Sequence, residues 1–311
     1  ITVLARANSP LEDFRRNFIA GMETALPEPA ASFGVGLLVG QRSLLPDDVA
    51  AALVAVGLTH IVAVSGYNLT IIIRAVTSGL RKLSRFQILA ASSLLIYLFL
   101  LITGYSPSIV RAAIVASLGL LAWYFGRQFR PILLIVLTAA VTGFFNPYYV
   151  WGDIGWYLSF LAFFGVLILA PLVTLRLFAN RKVPFIGSIA IESFAAQIMT
   201  LPLIMFIFGR VAIVGFLANI IVVPMVPFAM LFSLFAGLAG MFVPVISGWF
   251  ALPARIILNV MLWVADWLST WPGANVRTSV SVAGFLSLYV IIAIVILGLK
   301  KRAVSVTIKQ R

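Results

Sequence analysis

The polar residues of this sequence lie inside hydrophobic runs, and the densest group falls within residues 59–68. Ser65 and Asn68 supply hydrogen-bonding groups there, beside a Gly66 that weakens any helix through this stretch. His60 is five residues from Ser65, off a shared helical face and without a nearby carboxylate, so a catalytic Ser–His pair is not expected. One interpretation is a polar kink satisfied by neighbouring helices. The interpretation that we favour is a discontinuous helix lining a polar path.

A second group combines a helix start with a cation. Ser106 and Pro107 suit the N-cap and N1 positions of a helix, and Arg111 follows one turn later. Free N–H groups, the helix dipole and the guanidinium together make this end attractive to an anion. The alternative is an ordinary cap with a structural arginine, paired by its depth with Asp153.

Further polar residues occur in other apolar segments. Glu192 and Gln197 share one segment, and Asn219 precedes Pro224 and Pro227 in another. Because a charged side chain at mid-bilayer costs roughly 2.5–3.5 kcal/mol on insertion scales, we expect Glu192 to face protein or water, not lipid. The candidate path residues are His60, Ser65, Gly66, Asn68, Arg111, Asp153, Glu192, Gln197 and Asn219.

The rarity of metal-ligating residues excludes several kinds of chemistry. The chain has no cysteine and one histidine, so disulfides, Cys-ligated zinc, iron–sulfur clusters and sites with two imidazoles are excluded. No GxxxxGK[ST] motif of a P-loop ATPase is present. Nine acidic residues make a two-metal nuclease site implausible. We expect no metal, no cofactor and no enzymatic activity in this segment.

The composition is that of a polytopic membrane protein, with 62% hydrophobic residues and a mean hydropathy of +1.13. We predict an all-α fold with about nine transmembrane helices, some broken or kinked. The predicted spans are 58–80, 86–103, 107–125, 130–146, 154–178, 187–208, 211–240, 244–270 and 281–299. As one straight helix, span 211–240 would measure about 45 Å against a core of about 30 Å, so it is kinked or consists of two half-helices. Nine crossings put Lys300 in the cytoplasm, whereas a hairpin folded back at Pro224 puts it outside.

The predicted organisation has three parts. Residues 1–30 hold an amphipathic helix, expected to lie on the outer leaflet as an interfacial segment. Residues 31–299 form the transmembrane channel domain, which begins with a re-entrant or interfacial hairpin over 31–57. Residues 300–311 form a basic tail, expected to be the start of a further segment. Because the chain opens at Ile1 and not at a Met, we expect it to be part of a longer protein.

The net charge is +13, and the basic residues are distributed along the chain as membrane topology requires. Alternate connections carry nearly all the basic residues between the spans, and the opposite connections carry only Arg210 and Arg277. The positive-inside rule therefore explains most of the charge better than DNA binding does. It puts 81–85, 126–130 and 176–182 in the cytoplasm, and 103–106 and 146–153 outside.

These motifs, in this order, resemble the competence domain of the ComEC-type family, the inner-membrane channels that take up single-stranded DNA in natural transformation. The resemblance runs from about residue 36 to residue 227. It departs from the family at Tyr67-Asn68, where Leu-His is common, and at Trp156-Tyr157, where Phe-Gln is common. The matching motifs are Gly40-Gln41-Arg42-Ser43, residues 57–66, residues 104–112, Gly126-Arg127, Asn146-Pro147, residues 153–160, Ala196-Gln197, Leu201-Pro202, Phe208-Gly209 and Ala218-Asn219.

The resemblance implies a multi-pass protein of the bacterial cytoplasmic (inner) membrane. Its implied partners are single-stranded DNA, the lipid bilayer, a cytoplasmic motor and an external DNA receptor, with a homodimer also possible. The family's OB-like and metallo-β-lactamase-like domains do not occur within this sequence, and the basic residues 300–311 fit poorly with an external continuation.

The sequence therefore predicts a channel that passes single-stranded DNA inward. A polyanion needs N–H donors, sparse cations and stacking surfaces along its path, because a dense basic lining would trap it. The main alternative is a secondary transporter of a small anionic solute that uses the same helix start and Arg111. A second alternative is an intramembrane enzyme, which requires Glu192 and His60 to meet at one depth.

Overall fold

The computed structural model describes residues 10–62, 69, 73, 79, 82–103, 107–128, 130–178 and 183–309. These residues divide between two compact units. The first unit comprises Ile1–Ala52, Thr59–Ala113 and Met225–Asp266, and the second comprises Leu53–Leu58, Ile114–Pro224 and Trp267–Arg311.

Helices account for nearly all of the described chain. The first helices are α1 (Pro10–Ala25), α2 (Ala30–Val39), α3 (Asp47–Ala55), α4 (Thr59–Val62), α5 (Arg85–Thr103), α6 (Pro107–Tyr124), α7 (Pro131–Phe145) and α8 (Tyr148–Gly152). The later elements are α9 (Ile154–Phe164), α10 (Ala170–Phe178), α11 (Phe185–Phe208), β1 (Arg210–Ala212), α12 (Gly215–Val222), α13 (Val226–Phe242), α14 (Ser247–Ser269), β2 (Asn275–Arg277) and α15 (Val282–Lys309).

The described residues contain seven helices that are long and apolar enough to cross a membrane, so the chain is a multi-pass membrane protein. These are Arg85–Thr103, Pro107–Tyr124, Ile154–Phe178, Phe185–Phe208, Gly215–Phe242, Pro244–Ser269 and Val282–Lys301. Predicted span 130–146 appears as the shorter apolar helix α7, and most of predicted span 58–80 lies outside the described residues. The all-α class is confirmed, apart from one small sheet; the count of nine stays a prediction.

In the first unit, the amphipathic helix α1 packs against α13. Its apolar face is covered by protein, with Phe18 and Met22 almost fully buried. The two helices approach so closely that a Cβ built on Gly240 would overlap the carbonyl oxygen of Gly21. Small residues allow such backbone contact between membrane helices. The predicted position of α1 on the outer leaflet stays a prediction.

Helix α2 forms the centre of the first unit. Nine of its ten residues are buried, and it contacts both α1 and α13. The Oγ of Ser32 donates a hydrogen bond to Oε2 of Glu28 at the start of the helix, at 2.6 Å. Helix α2 ends at Gly40, and α3 follows shortly after, so residues 31–57 contain two short helices, as a hairpin requires.

In the second unit, the core lies between α10, α11 and α15. A π-helical turn, Gly165–Leu169, joins α9 to α10, and its first residue lies against the backbone of Ala195 in α11. The hydroxyl of Tyr289 in α15 donates to the carbonyl oxygen of Met199 in α11 at 3.1 Å. This hydrogen bond ties the last described helix to the middle of an earlier one.

Predicted span 211–240 differs from the structure at its beginning. Residues 210–212 form β1, which pairs antiparallel with β2, so helix begins only at Gly215. A 3-10 turn over Val223–Met225 then separates α12 from α13. The predicted interruption of this span, as a kink or as two half-helices, is confirmed at Pro224, whose missing N–H and fixed φ favour it. At the other end of the chain, residues 300–309 continue α15 as helix.

Candidate functional site

The structure describes six of the nine predicted path residues: His60, Arg111, Asp153, Glu192, Gln197 and Asn219. Ser65, Gly66 and Asn68 lie outside the described residues, so the proposed break of the helix there stays a prediction.

The polar motif is preceded by a tight turn at the end of α3. Gly57 has φ of +73°, a conformation that other residues rarely adopt. Its N–H donates to the oxygen of Val54, and the N–H of Leu58 donates to the oxygen of Leu53 at 2.8 Å. This pair of bonds satisfies carbonyls at the helix end, as in Schellman-type caps. The turn stops α3 and directs the chain into the 59–68 motif.

Two predicted path residues belong to packed neighbours in the second unit. Gln197 lies near the middle of α11, and α12 packs against that helix. A Cβ built on Gly215, the first residue of α12, would lie 3.5 Å from Nε2 of Gln197 and 3.2 Å from the oxygen of Val56. The start of α12 therefore meets the Gly57 turn and the Gln197 amide at one place.

Asn219 follows one turn after Gly215 on α12, so the two residues share a face of the helix. Its Oδ1 is buried and accepts no hydrogen bond from the described residues. A buried amide oxygen without a donor costs about 1–3 kcal/mol. At membrane depth, a broken helix is tolerated where it is buried in protein or lines a water-filled cavity. Gln197 and Asn219 are both neutral, so this place offers hydrogen bonds without a formal charge.

Arg111 is the largest fully buried side chain among the described residues, with 2% of its surface exposed. Helix α6 begins at Pro107, which confirms the proline at the first helical position and places Arg111 one turn inside. Ser106 lies outside the described residues. The guanidinium is always charged, so its burial requires polar partners, and Arg111 does take part in such interactions.

Asp153 is the residue that immediately precedes α9, at its N-cap position. The nearby Trp156 is structural: its Nε1 donates to Oγ1 of Thr142 in α7 at 3.0 Å, and its ring packs edge-on against Phe160. Trp151 is 86% exposed, as expected of an aromatic belt at the membrane surface. Arg111 and Asp153 belong to different units, and their pairing stays a prediction.

The two remaining residues occupy less buried positions. His60 is exposed on α4, and Glu192 is half-buried on α11, five residues before Gln197. Both side chains take part in interactions. They belong to different units, and the intramembrane enzyme alternative, which needs them at one depth, stays untested.

One feature of the structure was not predicted from the sequence. Arg210 and Arg277 lie directly opposite each other across the β1–β2 ladder, and both are exposed. The signal in the sequence was that these two are the only basic residues in the less basic connections between the predicted spans. Their pairing could not be predicted, because three-residue strands have no measurable period.

Comparison with known proteins identifies the family. The family model described as competence protein matches residues 37–302, which include almost all of the described helices. The chain belongs to the competence protein family. Family membership confirms the ComEC-type resemblance and accounts for the order of the motifs around Gly57, Gln197 and Asn219.

A curated competence relative supports the assignment. ComE operon protein 3 of Bacillus subtilis (strain 168) is 25% identical to this chain over 259 residues. The aligned region covers 81% of this chain and 32% of the relative, so the chain spans about a third of the relative's length. No solved structure is significantly similar to the chain.

Proposed function

We propose that this chain is the membrane-embedded part of a channel that passes single-stranded DNA inward across the bacterial cytoplasmic membrane during natural transformation. The observation that carries the proposal is the competence match over residues 37–302, because that range contains all seven candidate spans. The match therefore supports a contribution of these helices to competence.

The polar groups around α11 and α12 suit this task. A DNA strand carries a negative charge at every phosphate, and a dense row of cations would hold it too tightly to let it move. Gln197 and Asn219 offer uncharged amides at a broken helix, and amides can replace part of the water around a phosphate or a base. We propose that they line the route of the strand, together with Ser65, Gly66 and Asn68.

The chain does no chemistry on DNA in this proposal. Its single histidine and nine acidic residues offer little for a two-metal nuclease site. Movement of the strand requires a motor in the cytoplasm, because no P-loop motif occurs in this sequence. Delivery of DNA to the outer face requires an external receptor, and a second copy of the chain is a further possible partner.

Deletion of the gene tests the proposal. We expect uptake of labelled DNA into a nuclease-resistant form to fall to background, while labelled DNA still binds at the cell surface. A plasmid-borne copy should restore uptake. Electroporation of the same DNA should transform the deletion strain, which controls for recombination after uptake.

Unchanged uptake in the deletion strain would contradict the channel. Loss of accumulation of a small anion in that strain, with DNA uptake intact, would instead support a secondary transporter of an anionic solute.

A further inference from the structure

The pair of arginines on the β1–β2 sheet is costly for the fold. Residues directly opposite in an antiparallel ladder have their side chains on the same face, and like charges in that position destabilise the pairing. Each strand has three residues, and backbone hydrogen bonds from Thr278 to Gly209 and from Ile213 to Ala274 extend the pairing by one residue at each end. Among the described residues, no carboxylate forms an ion pair with Arg210 or Arg277.

Membrane topology does not explain these two charges. The positive-inside rule accounts for basic residues on the cytoplasmic side, and Arg210 and Arg277 are assigned to the opposite side. Both basic residues of the less basic connections between the spans are thus placed at one point of the sheet. A ligand with negative charge would remove the repulsion between the two guanidinium groups.

The surroundings of the pair indicate the chemistry of that ligand. Arg277 lines an open groove of about 480 Å³, together with Thr278, Ser279 and Phe208. The ring of Phe208 is 51% exposed, and Asn275 shares the arginine face of the sheet. Guanidinium groups bind phosphate oxygens through paired N–H donors, hydroxyls add further bonds, and an exposed ring can stack on a base.

The position of the groove relates it to the proposed path. Arg210 lies two residues past the end of α11, and Gln197 lies eleven residues before that end, which corresponds to roughly 16 Å along the helix axis. A strand held at the arginine pair would therefore lie at the outer end of the helix whose middle carries the Gln197 amide.

We propose that Arg210 and Arg277 form an external capture site for the phosphodiester backbone of a DNA single strand, with Phe208 as a stacking surface. The inference rests on the proposed channel function and adds to it a binding site at the outer end of the route.

A photo-crosslinking amino acid placed at Phe208 tests capture directly, in the full-length protein in nanodiscs of zwitterionic lipid. We expect the protein to crosslink labelled oligo-dT. The double variant R210Q/R277Q should lower the crosslink yield about tenfold, because two charged phosphate contacts are lost. R210K/R277K, which keeps both charges, should retain part of the yield. Arg127→Gln is the matched control, an exposed arginine of a loop assigned to the cytoplasm, and should leave the yield unchanged.

Stability separates capture from a structural role. Removing the repulsion should leave the melting temperature of R210Q/R277Q equal to or above that of the wild type. A lower melting temperature together with an undiminished crosslink yield would mean that the arginines serve the fold, and the proposal would be wrong.

Two further experiments test whether the arginines bind lipid and whether they are needed for uptake in cells. If R210Q/R277Q kept the wild-type crosslink yield to oligo-dT but lost a crosslink to lipid in phosphatidylglycerol nanodiscs, the two arginines would bind a lipid headgroup. That result would overturn the DNA site. In cells, R210Q/R277Q should reduce DNA uptake at matched protein levels. Normal uptake in this variant, in a strain where gene deletion abolishes uptake, would overturn the capture site and leave the channel standing.

Discussion

Asn219 places a buried hydrogen-bonding oxygen where no described residue donates to it. If this oxygen serves the route of a strand, its removal should affect function and stability in opposite directions. Asn219→Leu should raise the free energy of unfolding by about 1–3 kcal/mol, because the orphaned amide is gone. The same variant should lower DNA uptake several-fold at matched protein levels.

Thermal unfolding of the purified variant and uptake of labelled DNA are the two measurements. Asn259→Leu, at an exposed position of α14, is the control and should leave uptake unchanged. Wild-type uptake in Asn219→Leu would remove Asn219 from the route.

Arg111 offers a second test at this scale, since its burial suits either a structural ion pair or a phosphate contact in an open state. Arg111→Gln should reduce internalisation while surface binding of DNA persists, and adding Asp153→Asn should not rescue it. A pair lost together costs less than one orphaned charge, so a purely structural pair predicts recovery in the double variant. Uptake in the wild type, both single variants and the double variant decides between the two roles.

Only those features of the site that depend on local residue type could be predicted from the sequence. Gln197 and Asn219 were identified because amides are costly in an apolar segment. Their approach to the Gly57 turn depends on packing between segments far apart in the chain, which no local pattern encodes. The Arg210–Arg277 pair was missed for the same reason.

At the scale of elements, the close contact between α1 and α13 determines how the first unit packs. Gly240→Ala should destabilise the protein by about 1–3 kcal/mol or more, because the new methyl group would meet the backbone of Gly21. Gly298→Ala is the control: nothing lies within 4 Å of a Cβ there, and alanine favours helix. Melting temperatures in detergent should fall for the first variant only. Equal values would show that α1 does not depend on this contact.

The helices themselves were largely predictable. Long apolar runs marked the spans, and Pro224 marked the break between α12 and α13. The partner of α1 was not predictable, because an apolar face looks the same whether it meets lipid or protein. β1 was also missed, since Val211 and Ala212 begin the apolar run that was predicted as span 211–240.

At the scale of the whole molecule, the β1–β2 sheet constrains the membrane topology, which the sequence left open. Because residues 212 and 275 are paired, the chain between them crosses the membrane an even number of times. It contains two candidate spans, Gly215–Phe242 and Pro244–Ser269. If the second crosses once, the first must cross once as well, so we expect no folded-back hairpin at Pro224. With α15 as a further crossing, we expect Lys300 on the side opposite Arg277.

Cysteine labelling checks this topology cleanly, because the chain has no cysteine. An impermeant reagent applied to intact cells should label Ser279→Cys and should not label Gln128→Cys or Lys300→Cys. All three should react after the cells are opened. Labelling at position 128 in intact cells would overturn the assignment of sides, and labelling at position 300 would restore the folded-back hairpin.

The same sheet has a consequence for biosynthesis. Strand β1 leaves the ribosome well before β2, so it must wait until both intervening spans have been inserted. If one span failed to insert, the two strands would emerge on opposite faces of the bilayer and could never meet. The sheet can therefore form only when an even number of the intervening spans has been inserted. A chain that forms it has this part of its topology correct before the last helix is completed.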